Sequence, residues 1–172
     1  AKMLNCEIVD EVQVMRKTVI DGSNTSGFQR TMLIGMNGFI EFDGRKISVD
    51  SVCLEEEACQ IVERKKDYDV YNLSRLGIPL IEVATGPDIQ IPTEAKEVAA
   101  KIGMSLRRTG KCKRGIGSIR QDVNLSLMNT ARVEIKGFQE LKSIPKIMDY
   151  EINRRLKLIK DKKNPEKEVR KA

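Results

Sequence analysis

No histidine occurs among the 172 residues. A Ser-His-Asp triad, a Cys-His pair and any His-bearing zinc site built from this chain alone are therefore excluded. Proton transfer would fall to carboxylates, lysine or tyrosine. The four cysteines, Cys6, Cys53, Cys59 and Cys112, form no CxxC pair. They read as small apolar residues kept reduced in a cytoplasmic protein. No apolar run of 18 residues and no secretory signal are present, so neither secretion nor a membrane span is expected. Phosphate loops are missing as well. Gly115-Ile116-Gly117 lacks its third glycine, Arg120 standing in that place, and no GK[ST] follows. If ATP binds, a sheet face with metal and arginine must hold it.

What is present fits one ordinary globular domain, or a domain with a helical tail. Apolar residues make up 40%, too many for a disordered chain. At this length roughly two-thirds of the unfolded surface is buried on folding. Thirty-one lysines and arginines face 25 acidic residues, a formal charge of +6. That balance permits an anionic partner such as nucleic acid without requiring one.

Residues 6–20 mix β-branched and charged types and predict a strand, followed by the polar loop 21–27. Asn37-Gly38 and Asp43-Gly44 are strong hairpin signals and predict a three-stranded antiparallel meander over residues 30–54. Residues 55–63 read as a short helix. Residues 78–84 read as a buried strand between Gly77 and Gly86-Pro87. Pro92-Thr93 opens a helix with Thr93 as N-cap, its stripe being Ala95, Val98, Ala99, Ile102 and Leu106. A second helix is predicted over 143–159, with Pro145 in its first turn and Ile144, Ile147, Met148, Ile152 and Ile159 on its apolar face. Beyond Lys160 the chain reads as a solvated, charged tail. The fold class is α+β, an antiparallel sheet with helices.

Two features point to chemistry. In 119–127 and 131–135 apolar and polar residues alternate strictly, and a loop at 128–130 would pair residue 127 with 131. That register sets Asn124 opposite Glu134 and Asp122 opposite Lys136 on one polar face, within about 5 Å across the ladder. The plain alternative is a solvent-facing amphipathic hairpin. The second feature is carboxylate placement. Glu82 sits in the apolar run Ile78-Pro79-Leu80-Ile81-Glu82-Val83-Ala84, where a buried carboxylate costs several kcal/mol unless it meets a cation or metal; the plain alternative is an end-of-strand glutamate leaning into solvent. Glu55-Glu56-Glu57 is a second anionic cluster, equally readable as a helix start. Together they suggest a hard-cation site with oxygen ligands.

The segment Met15-Arg16-Lys17-Thr18-Val19-Ile20-Asp21-Gly22-Ser23-Asn24-Thr25-Ser26-Gly27-Phe28-Gln29-Arg30 resembles the GatB/GatE family of tRNA-dependent amidotransferase subunits. So do Cys53-Leu54-Glu55-Glu56-Glu57-Ala58, Arg75-Leu76-Gly77-Ile78-Pro79-Leu80-Ile81-Glu82, Ile119-Arg120-Gln121-Asp122-Val123-Asn124 and Ala131-Arg132-Val133-Glu134-Ile135-Lys136-Gly137. The archaeal GatE branch is more similar than the bacterial GatB branch, and the blocks follow in order to about Arg155. The resemblance implies a glutamine-synthetase-like cradle whose antiparallel sheet carries the active site. It implies ATP-dependent phosphorylation of the γ-carboxylate of Glu-tRNA(Gln), then displacement of phosphate by ammonia to give Gln-tRNA(Gln). It further implies a GatD-like, asparaginase-type partner that supplies the ammonia, within a heterotetramer.

The resemblance also implies Mg²⁺ held by a histidine of an N-terminal strand and by the glutamates matching Glu56 and Glu82. This chain has no histidine and is expected to begin downstream of that strand. Glu82, Arg120, Asp122 and Lys136 are thus the expected catalytic residues, Arg120 or Lys136 stabilising the transferring phosphoryl group. Asp122 and Glu134 are alternatives for the base in ammonia attack. Ser23, Thr25, Ser26, Gln29, Asn124 and Glu134 are expected to contact ATP or the tRNA 3′ end. Residues 1–142 would belong to the cradle and 143–172 would lead toward further domains, the chain being an inactive internal piece by itself. The rival readings are a non-catalytic tRNA-binding module, resting on the basic tail 154–172, and a structural fragment.

Overall fold

Asp43 and Gly44 both take left-handed backbone angles, with φ of 46° and 74°, as a two-residue type I′ hairpin requires. In the computed structural model, which describes residues 1–127 and 130–172, this hairpin organises the first of two compact units, residues 1–88 and 89–172. The first unit contains β1 (Glu7–Ile8), β2 (Met15–Thr18), β3 (Phe28–Phe42), β4 (Arg45–Glu56), β5 (Gln60–Arg64), β6 (Asp69–Asn72) and β7 (Pro79–Thr85). Its main sheet runs β1-β3-β4-β7, with β2 also on β3, and every pairing is antiparallel. Strands β5 and β6 form a separate ribbon. Ile40, Ile47, Val49 and Val52 are the sheet's buried apolar residues, together with Leu4 and Cys6.

Asn37-Gly38 is no turn; it lies inside the continuous strand β3. Its glycine serves close approach, since a Cβ at Gly38 would overlap Cys6 Sγ and the Leu4 carbonyl oxygen. The predicted meander is therefore a single long hairpin. The predicted strand 6–20 is two short strands separated by residues 9–14. The expected helix 55–63 does not form, because β4 runs on through Glu56 and β5 follows at Gln60. Finally, β7 is the edge of its sheet rather than a covered strand, and both Ile81 and Glu82 are exposed.

The second unit contains α1 (Pro92–Arg108), β8 (Gln121–Leu125), β9 (Val133–Phe138), α2 (Ser143–Lys160) and β10 (Glu168–Lys171). Its sheet order is β10-β9-β8, with β8 antiparallel and β10 parallel to β9. Ala95 and Ala99 of α1, Leu125, Val133, Ile135 and Phe138 of the sheet, and Ile144 and Met148 of α2 form one core. The helical residues follow a period of 3.6 and Val133 and Ile135 a period of 2, while Phe138 joins the same face only past the irregularity in the β8–β9 ladder. The N-cap of α1 is Ile91, not Thr93: Pro92 takes the first helical position, where its missing N–H is harmless.

The expected boundary at 142 is not a division of the structure. Helix α2 packs into the same core as β8 and β9, and the compact units part at Asp88 and Ile89. The tail is not merely solvated either. Residues 168–171 pair with 133–136, and Arg155 of α2 is fully buried. Its Nε bonds Glu151 at 3.0 Å, and its two terminal nitrogens donate to the carbonyls of Ala131 and Glu166. Arg154 makes a two-pronged contact with Glu151 at 2.9 and 2.7 Å and reaches Glu168 at 3.0 Å. Burial pushes the Glu151 carboxyl up, but the Arg154 and Arg155 hydrogen bonds outweigh it and hold it below the ordinary glutamate value. Hydrogen bonding from Arg154 lowers Glu168 likewise.

Candidate functional site

Strands β8 and β9 bring together most of the residues singled out for catalysis. Asn124 stands directly opposite Glu134, with Val123 opposite Ile135 and Leu125 opposite Val133. This is the register that the alternation predicts, because slipping it by one residue would expose the buried Leu125, Val133 and Ile135. The expected loop at 128–130 lies partly outside the described residues, at 128 and 129. A bulge between Gln121 and Val123 modifies the end of the ladder. Asp122 consequently does not sit squarely against Lys136; its Oδ1 accepts the Gly137 N–H at 3.0 Å. Lys136 instead places Nζ 3.5 Å from Glu134. Arg120, Asp122, Asn124 and Lys136 are all exposed, so a polar, solvent-open face of both charge signs lies over an apolar one.

The carboxylates of the first unit are arranged differently from expectation. Across β4 and β7, Cys53 opposes Glu82, Glu55 opposes Leu80 and Glu56 opposes Pro79. Side chains alternate along a strand, so Glu55 and Glu82 share one face and Glu56 lies on the other. One ion bridging Glu56 and Glu82 does not fit this ladder. Glu55 is buried, with Lys17 Nζ at 2.6 Å and Thr31 Oγ1 at 3.0 Å. Glu56 meets Arg30 at 2.8 Å, and the Arg30 and Arg16 guanidinium carbons lie 5.5 and 5.2 Å from the Phe28 ring centre. Among the described residues no group of three or more acidic or cysteine side chains converges in a metal-binding arrangement. Strand alternation continued through Cys53-Leu54-Glu55-Glu56, together with the register that sets Cys53 opposite Glu82, separates Glu56 from Glu82.

The loop expected to meet a phosphate or the tRNA end is largely turned on itself. Asp21 Oδ1 accepts from the Ser23 N–H at 2.9 Å and from its hydroxyl at 2.5 Å, and Asn24 Oδ1 accepts from the Ser26 N–H at 2.8 Å. Gln29 donates to the Glu56 carbonyl at 2.8 Å. Thr25 is exposed. Tyr71 donates to the Gly22 carbonyl at 2.7 Å, which ties the loop to the β5–β6 ribbon. The site elements thus lie in two units: the carboxylates and the 21–29 loop in the first, the hairpin face in the second.

Residues 1–172 match the model of the family described as GatB/GatE catalytic domain. Among curated proteins, the chain is 61% identical over 160 residues to the E subunit of glutamyl-tRNA(Gln) amidotransferase from Archaeoglobus fulgidus, a match that covers 93% of this chain and 26% of that protein. It is 56% identical over 156 residues to the protein of that name from Methanococcus maripaludis strain C7, covering 91% of this chain and 25% of that protein. The corresponding Aeropyrum pernix protein is 54% identical over 160 residues, covering 93% and 25%. The chain spans about a quarter of the length of the curated relatives it matches. No described helix is long and apolar enough to cross a membrane.

Proposed function

The chain belongs to the GatB/GatE catalytic domain family, and on that premise we propose that it is part of the catalytic body of a subunit that converts Glu-tRNA(Gln) to Gln-tRNA(Gln). ATP, with Mg²⁺, would supply the phosphoryl group that makes the glutamyl γ-carboxylate reactive toward ammonia. An asparaginase-type partner subunit would generate that ammonia within a larger assembly, in the cytoplasm. The observation that supports the reading most directly is the β8–β9 face, where Asp122, Asn124, Glu134 and Lys136 stand on one hairpin over a dry core.

Each of these side chains has work consistent with that reaction. The Gly137 N–H fixes the Asp122 carboxylate in place, so it can hold or accept a proton at a set position. Lys136 is only loosely paired with Glu134, which leaves its ammonium able to turn toward a more negative group. Cations fixed before the reaction stabilise charge that develops during it. Arg120, immediately before β8, adds a second exposed cation, a guanidinium.

The test uses the full-length subunit with its amidase partner, Glu-tRNA(Gln), ATP and an amide donor. Lys136→Ala should lower Gln-tRNA formation by about 10²-fold or more, the usual loss when one charge-stabilising donor is removed, with tRNA binding nearly unchanged. Wild-type turnover in that variant would sink the assignment.

A further inference from the structure

The second half of α1 and the segment joining it to β8 carry strongly one-sided charge. Residues 98–121 include seven lysines and arginines and no acidic residue, while the other 148 residues hold 24 cations and 25 acidic residues. Arg107 and Arg108 occupy the last turn of α1, where the helix dipole favours cations. That accounts for two charges. It does not account for Lys111, Lys113 and Arg114, which lie beyond the helix end. All five side chains are exposed, and among the described residues none has an ion-pairing carboxylate. Like charges gathered in this way repel unless an anion is nearby.

The loop has a definite shape. Cys112 Sγ contacts the Leu106 carbonyl at 3.2 Å, the Lys111 N–H donates to Thr109 Oγ1 at 3.2 Å, and the Ser118 hydroxyl donates to the Gly115 carbonyl at 2.7 Å. An open surface hollow of about 400 Å³ is lined by Arg107, Gly110, Cys112, Arg114 and Gly115. That volume admits a phosphate group with its water, and two guanidinium groups border it. None of these lining residues is an aromatic on which a base could stack.

We propose that this loop is a docking site for the phosphodiester backbone of RNA, reached by Arg107 and Arg114 of the hollow and flanked by Arg108, Lys111 and Lys113. The proposal rests on the preceding functional reading only for which RNA arrives. A polymer suits the site better than a free triphosphate, because the cations run from the helix's last turn along the loop and the lining offers no base pocket. Such binding would be independent of sequence and steep in salt.

The test compares the intact chain with the triple variant Arg107→Gln, Lys113→Gln, Arg114→Gln. Probes are a tRNA(Gln) transcript, an unrelated tRNA transcript and ATP. Both transcripts should bind the variant at least tenfold more weakly at about 0.1 M salt. The slope of log K against log salt should fall by about 2, since each neutralised phosphate contributes about 0.7–0.9 to it. ATP binding should not change. A control, Lys157→Gln, Lys160→Gln, Lys163→Gln, should leave the slope intact. The proposal is overturned by an unchanged slope in the loop variant, by an equal fall in the control, or by a wild-type chain that binds no RNA. Loss of ATP binding alone would identify the source of phosphate as free triphosphate and overturn it too. If the full-length subunit makes no Gln-tRNA while the loop-dependent slope persists, the enzymatic reading fails and the RNA-docking loop stands.

Discussion

Two stretches of the chain are rich in lysine and arginine, and the structure treats their arginines in opposite ways, while the tail's lysines are exposed. Residues 154–172 hold nine cations and three acidic residues; residues 98–121 hold seven and none. By sequence the tail looks like the stronger candidate for contact with nucleic acid. In the structure its arginines are held by carboxylates: Arg155 is fully buried against Glu151, and the more exposed Arg154 and Arg170 pair with Glu151 and Glu168. The α1–β8 segment keeps Arg107, Arg108, Lys111, Lys113 and Arg114 in solvent. Counting charge does not locate an anion site; the local supply of carboxylates decides whether a cation is internal structure or available surface.

The largest expected effect tests the internal half of this contrast. Arg155→Ala should destabilise the second unit by about 3–5 kcal/mol, because it leaves Glu151 buried with part of its compensation gone. Denaturant titration measures this, and a loss under about 1 kcal/mol would show that Arg155 is not structural. Joint replacement, Glu151→Leu with Arg155→Met, should recover most of that stability, since a dry apolar pair can substitute for a buried ion pair.

A smaller effect is expected for the half-exposed pair of the first unit. Lys17→Met should cost about 1.5–3 kcal/mol, the range for a hydrogen bond to a charged group. Glu55 is 6% exposed, and without the Lys17 ammonium its Oε1 keeps the Thr31 hydroxyl but no cation bonded to it. A change below about 0.5 kcal/mol would mean that water replaces the ammonium.

Acid should separate the two basic stretches further. Glu151 and Glu168 sit below the ordinary value of 4.5 in the native state. Their contribution to stability is present above that value and is lost as pH falls from about 4.5 through the depressed native values. Unfolding followed against pH should show this loss in the wild type and a shallower one in Glu151→Gln. Identical pH profiles would contradict the arrangement. The smallest effect belongs to the open loop: Lys113→Gln with Arg114→Gln should change stability by no more than about 0.5 kcal/mol, and a larger loss would show that these cations support the fold.

Much of the second unit was legible without coordinates. Leu125, Val133 and Ile135 fall on the apolar phase of a hairpin whose register they dictate, and Ile144 and Met148 fall on the stripe of α2. The local pattern of the first unit is less informative. Asn37-Gly38 carries a turn signature, yet its glycine is needed because Cys6 and Leu4 approach β3 from elsewhere in the chain. Glu55-Glu56-Glu57 has the acidity of a helix start, yet ten residues of β4 already paired with β3 extend the strand through Glu56.

The sequence by itself determined the α+β class, the two helices, the β8–β9 register and the family, because each depends on periodicity within one segment or on motifs in order. Only the tertiary structure decided which face each glutamate occupies, whether β7 is central or an edge, and which cations are internal. Those properties depend on what pairs with a strand and which carboxylate reaches an arginine, as Glu151 and Glu168 reach Arg154 and Arg170. Burial and charge pairing are set by neighbours distant in sequence, and local pattern does not encode those neighbours.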